Sequence, residues 1–71
     1  MNKETELLIN FIDSSGFYLD KIDKLKTKYN NIKDFQFHLS YVIMDIVSQE
    51  KKFFNMSRKN IELDKITLKY F

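Results

Sequence analysis

Apolar residues recur at helical spacing along the first half of the chain. Leu8, Phe11, Ser15, Tyr18, Ile22, Leu25, Tyr29 and Ile32 step by alternating threes and fours, which keeps them in one line along an α-helix. Leu7, Ile12 and Leu19 flank that line and widen it. Asn2 suits the cap of such a helix, and Glu4 and Glu6 suit the positive end of its dipole. Lys24, Lys26 and Lys28 suit the opposite end, and Asn30 and Asn31 tolerate the left-handed backbone that ends helices. The stretch DSSG, Asp13 to Gly16, interrupts the chemistry of the pattern but not its phase. A mid-helix glycine costs about 1 kcal/mol. The expectation is one helix over about residues 2–30 with a soft spot at Ser14 to Gly16. Two helices joined there are the competing arrangement.

A second seam begins after Asp34, which suits a cap. Phe35, Leu39, Val42, Ile46, Gln49, Phe53 and Met56 repeat the same spacing and predict a helix over about residues 34–56. This helix carries more apolar residues than one face can hold. Phe37, Tyr41, Met44, Val47 and Phe54 form another stripe, with Ile43 between the two. One stripe can face the first helix. The other needs a different surface, and so points to a partner.

The remaining residues, about 58–70, read two ways. Leu63, Ile66 and Tyr70 fit a helix face, whereas Ile66, Leu68 and Tyr70 alternate with Thr67 and Lys69 as in a strand. A short third helix is expected, with an extended tail as the competitor.

Composition sharpens this picture. The chain has 71 residues, no proline and one glycine. That length bounds it to a single domain over 1–71. So few turn-forming residues argue against an all-β fold. A short connection at about residues 30–34 makes the two long helices antiparallel neighbours. The predicted fold is therefore all-α: an antiparallel helical hairpin with a short C-terminal third segment. An unbroken first helix would be about 40 Å long, whereas a compact globule of this size is about 29 Å across. An extended hairpin would leave apolar flanks bare, and two hairpins packed as a four-helix bundle would cover them. A chain this small buries only about 60% of its unfolded surface, so association would also help stability.

Charge follows the same arrangement. Residues 1–20 carry net −3, 21–34 net +3, 35–50 net −2 and 51–71 net +4, which accounts for the overall +2. An antiparallel pairing sets unlike blocks side by side. A homodimer of hairpins packed head to tail would do the same between copies.

Candidate chemistry is sparse. His38 is the only histidine and there is no cysteine, so no thiolate zinc site or disulfide is expected. His38 reads as a histidine at the rim of the core. The carboxylates Glu4, Glu6, Asp13, Asp20 and Asp23 read as solvated surface. No phosphate-cradling loop, nucleophile elbow or zinc spacing occurs. The chain is expected to be non-enzymatic, with no cofactor and no metal. It shows no secretory leader pattern and no membrane span, and a cytoplasmic location is expected.

Two functions remain. The first is a small helical protein–protein interaction module, a regulator or inhibitor of a larger protein. It would act through Phe37, Tyr41, Met44 and Phe54, because aromatic side chains dominate binding hot spots. The second is a small basic nucleic-acid-binding regulator using Lys21, Lys24 and Lys28 on one helical face and Lys51, Lys52, Arg58 and Lys59 in a second cluster. The modest net charge and single arginine favour the first.

Overall fold

A computed structural model describes all residues, Met1 to Phe71. All regular secondary structure in the chain is helical, and there is no strand. Four α-helices follow one another: α1 (Lys3–Ser14), α2 (Gly16–Lys28), α3 (Ile32–Gln49) and α4 (Leu63–Tyr70). Between α3 and α4 lie two single 3-10 turns, Lys51–Phe53 and Arg58–Asn60.

The expected first helix is divided in two at Ser15. That residue leaves helical geometry at φ −105° and ψ 110°, ending α1 and capping α2. Two serines make the break. The Ser14 hydroxyl lies within hydrogen-bond reach of the carbonyl oxygens of Asn10 and Phe11, at 2.9 and 3.1 Å, and shares its one proton with the last turn of α1. The Ser15 hydroxyl oxygen accepts from the Tyr18 N–H at 3.3 Å. Gly16 is not the cause, because it does not have a positive φ. An unbroken helix of about 40 Å would also outrun the molecule, whose longest extent is 32 Å.

The other boundaries follow similar local chemistry. Asn2 caps α1 by accepting from the Thr5 N–H at 2.8 Å. Asn31, not Asp34, caps α3, its side-chain oxygen accepting from the Lys33 and Asp34 N–H groups at 2.8 and 3.2 Å. Asn30 and Asn31 do not adopt left-handed geometry; α2 ends on an extended Tyr29. The second long helix stops at Gln49, short of residue 56, where Glu50 turns extended. The turn-back carries Phe53 into the core, edge-on to Phe11 at 5.4 Å. Residues 63–70 are helix, not an extended tail.

The core is a single cluster centred on α3. Phe35, Leu39, Val42, Ile43, Ile46 and Val47 are all buried on it. They meet Leu8, Ile9 and Ile12 of α1, Tyr18 and Ile22 of α2, Phe53, and Ile66 of α4. Val47 thus belongs to the core and not to the outer stripe.

Polar contacts fasten α4 across α1. The buried Thr5 hydroxyl accepts from the Glu62 N–H at 3.0 Å and donates to the Asn60 carbonyl at 3.3 Å. Asn2 donates from its backbone to Glu62 at 2.6 Å and from its side-chain amide to the Asn60 carbonyl. At the other end, the Tyr70 hydroxyl donates to Asp13 at 2.7 Å, and Lys69 pairs with the same carboxylate at 3.4 Å. No buried side-chain polar atom is left without a partner.

Candidate interaction surface

The α3 helix has two unlike faces. Its inner face carries the core. Its outer face carries Phe37 and Tyr41, each 58% exposed. Successive helical positions four apart are neighbours on the surface, and the two rings meet edge to face, 5.3 Å between centroids. Phe37 also meets His38 edge to face at 5.3 Å. His38 in turn lies flat on Tyr29 at 3.9 Å. A continuous run of rings therefore leads from the end of α2 along the outside of α3. Lys28 extends it, its ammonium 5.5 Å from the Tyr29 ring. Ring pairs at these distances and angles restrain one another.

Met44 lies further along the same helix and is half-buried. It lines a shallow cleft of about 140 Å³ with Ile43, Ile61, Leu63 and Arg58. Phe54 is 58% exposed but takes part in no aromatic pair. Because α3 stops at Gln49, Phe54 has left the helical register that would align it with Phe37 and Tyr41. The structure thus joins Phe37 and Tyr41, sets Met44 further along α3, and places Phe54 beyond the end of the helix.

The basic residues lie on three elements. Lys21, Lys24 and Lys28 are exposed on α2. Lys51 and Lys52 are on the 3-10 turn after α3, and Arg58 and Lys59 on the one before α4. Several already have neighbours within the chain. Lys24 pairs with Asp20 at 3.1 Å. Lys21 lies 5.0 Å from the Phe17 ring, and Lys52 lies 4.7 Å from Phe11.

A second concavity of about 350 Å³ lies between the start of α3 and α4, bordered by Ile32 and Leu68. The Gln36 amide crosses it, donating to Asp64 at 2.9 Å and Thr67 at 3.1 Å. No three His, Cys, Asp or Glu side chains converge where they could hold a metal ion, and no helix is long and apolar enough to cross a membrane.

Sequence reasoning placed Phe37 and Tyr41 on the outside of α3 but overlooked what flanks them. Lys33 lies four residues before Phe37 and Asp45 four after Tyr41, and both are exposed. The repeating step of four was visible in the sequence; attention to apolar residues alone passed over it. The Tyr29–His38 stack was not foreseen, since it joins residues of different helices. Compared with protein-family models, curated proteins and solved structures, the chain finds no match.

Proposed function

We propose that this chain acts by association and not by catalysis: a small helical interaction module that regulates or inhibits another protein. Its recognition unit is the α2–α3 hairpin, whose helices are linked by Tyr29–Asn31 alone. Its contact surface is the outer face of α3, and homodimerisation through that face belongs to the same reading. One observation supports it above the others. The core packs thirteen residues without Phe37 or Tyr41, yet these two large rings stand together on the surface and restrain each other. Exposed aromatics that add nothing to the core suit a hot spot. The basic nucleic-acid reading has weaker support, because its lysines are dispersed over three elements and partly occupied.

Site-specific photo-crosslinking tests the proposal. A photoreactive phenylalanine analogue at position 37 should give a discrete adduct, either with a second copy or with another protein. Tyr41→Asp should abolish that adduct. The same analogue replacing Lys26, exposed on α2, should give none. Equal labelling from both positions would sink the proposal.

A further inference from the structure

Resting on that reading of the α3 face, we infer that its occupant is a second copy of this chain, laid antiparallel across it about a two-fold axis. The argument begins with one row of side chains. Lys33, Phe37, Tyr41 and Asp45 are spaced by four along α3 and all are exposed. Residues spaced by four form a continuous ridge on a helix. This ridge is positive at one end, aromatic in the middle and negative at the other. It is complementary to itself when reversed.

Placing the two-fold axis between Phe37 and Tyr41 fixes every pairing. Phe37 of one copy meets Tyr41 of the other, and the reverse. Lys33 of each copy then lies opposite Asp45 of the other. A two-fold interface uses the same patch on both subunits, so each favourable contact occurs twice. A parallel arrangement would oppose Lys33 to Lys33 and Asp45 to Asp45. Neither charge is held in an ion pair of the chain, although Asp45 acts on the Tyr18 hydroxyl and Lys33 borders the concavity that also holds Asp64. The chain's ion pairs are Lys24 with Asp20 and Lys69 with Asp13, and neither involves Lys33 or Asp45. Within one helix, residues 33 and 45 stand about 18 Å apart along the axis, too far to pair with each other.

The pairing also accounts for the aromatic step at the centre. Two rings at 5.3 Å in each copy become a cluster of four, shielded from water by the crossing helices. One helix crossing makes a small interface, so the dimer should be reversible over an accessible concentration range.

Charge reversal tests this, read by sedimentation equilibrium across a dilution series, with circular dichroism confirming the fold. The wild-type mass should rise from 8.6 kDa towards twice that value. Lys33→Glu and Asp45→Lys should each weaken the dimer about tenfold, because each sets like charges together at two symmetric contacts. The combined K33E/D45K variant should regain wild-type affinity within about threefold, since both pairs re-form with signs exchanged. Dimerisation that ignores the single reversals, or a double variant as weak as the singles, overturns the antiparallel pairing. A chain monomeric at millimolar concentration overturns the second copy altogether. In that case a crosslink from position 37 to a different protein would still uphold the α3 face as an association surface, and no crosslink would end both ideas.

Discussion

The two faces of α3 show how little residue type alone says about burial. On one face Phe35, Leu39 and Ile46 are wholly inaccessible; on the other Phe37 and Tyr41 are more than half exposed. Phe35 and Phe37 are chemically identical and two positions apart. They differ in what the rest of the chain brings to them. Phe35 lies under Phe71, 5.2 Å away, and inside the cluster built by all four helices. Phe37 pairs with the rings of His38 and Tyr41, its own neighbours on the helix. The inner face therefore carries the fold, and the outer face, which the core does not use, is the one proposed for association.

The sharpest way to break this contrast is to place the same charge on each face. Ile46→Asp puts a carboxylate where the side chain is 0% exposed, with no cation provided. Burying an unpaired charge is among the few single changes that remove on the order of 5 kcal/mol, comparable to the whole stability of a small domain. The helical circular dichroism signal should be lost at room temperature. Tyr41→Asp should leave the melting temperature within a few degrees and alter only the mass in solution. If both variants unfold, the outer face is ordinary core and the contrast disappears.

The inner face stays covered only while α4 lies over it. Thr5 holds that arrangement at one end, its fully buried hydroxyl bonding both Glu62 and Asn60. Thr5→Val keeps the shape and strands the Glu62 N–H, while the Asn60 carbonyl keeps the Asn2 side-chain amide as a donor. The expected loss is about 2 kcal/mol, or roughly 10 °C in Tm. Amide exchange at Glu62 should accelerate more than at Leu39, locating the damage at the α1–α4 contact. An unchanged Tm would mean that apolar packing alone seats α4.

Tyr70 holds the other end, and alkaline pH probes it. Burial first, and then the hydrogen bond and charge of Asp13, push the Tyr70 hydroxyl well above the ordinary tyrosine value of 10.0. The folded chain therefore holds this proton more tightly than the unfolded chain does. Its contribution to stability is complete below about pH 10. It falls as pH rises past the unfolded value and continues to fall until the folded value is reached. Burial, followed by the charges of Glu50 and Asp45, raises Tyr18 as well. Tyr70→Phe should thus reduce the loss of urea midpoint between about pH 9 and pH 11 without abolishing it. Identical slopes for the two chains would show that the clamp opens before the hydroxyl titrates.

The faces were more legible in the sequence than the breaks. Seam residues Leu8, Tyr18, Ile22, Phe35, Leu39 and Ile46 are buried, because spacing by threes and fours states directly which side chains share a side. That same regularity hid the break at Ser15, since the seam holds its phase across it. The chain bends there through hydroxyls that satisfy the backbone at both helix ends, and periodicity does not register hydroxyls. Phe53 keeps the phase of α3 although it sits on a separate turn, so the pattern overstated the helix. For the same reason Phe54 was grouped with Phe37 and Tyr41. The pair at the centre of the candidate surface was legible because it lies within one unbroken stretch of helix.

The smallest expected effect bears on the bend that lets α1 and α2 both reach the inner face. A glycine beside a break invites the conclusion that its flexibility makes the break. Here Gly16 is the first residue of α2, does not have a positive φ, and has open space where a side chain would begin. Alanine fits that backbone without strain and restricts the unfolded chain, so Gly16→Ala should stabilise by about 0.5–1 kcal/mol. Ser15→Ala should do the reverse, removing a cap worth about 1 kcal/mol. Opposite shifts in Tm for two adjacent substitutions would assign the bend to the serine hydroxyl. If Gly16→Ala instead destabilised the chain, the bend would depend on glycine after all, and the approach of α1 to the core would rest on backbone freedom and not on capping.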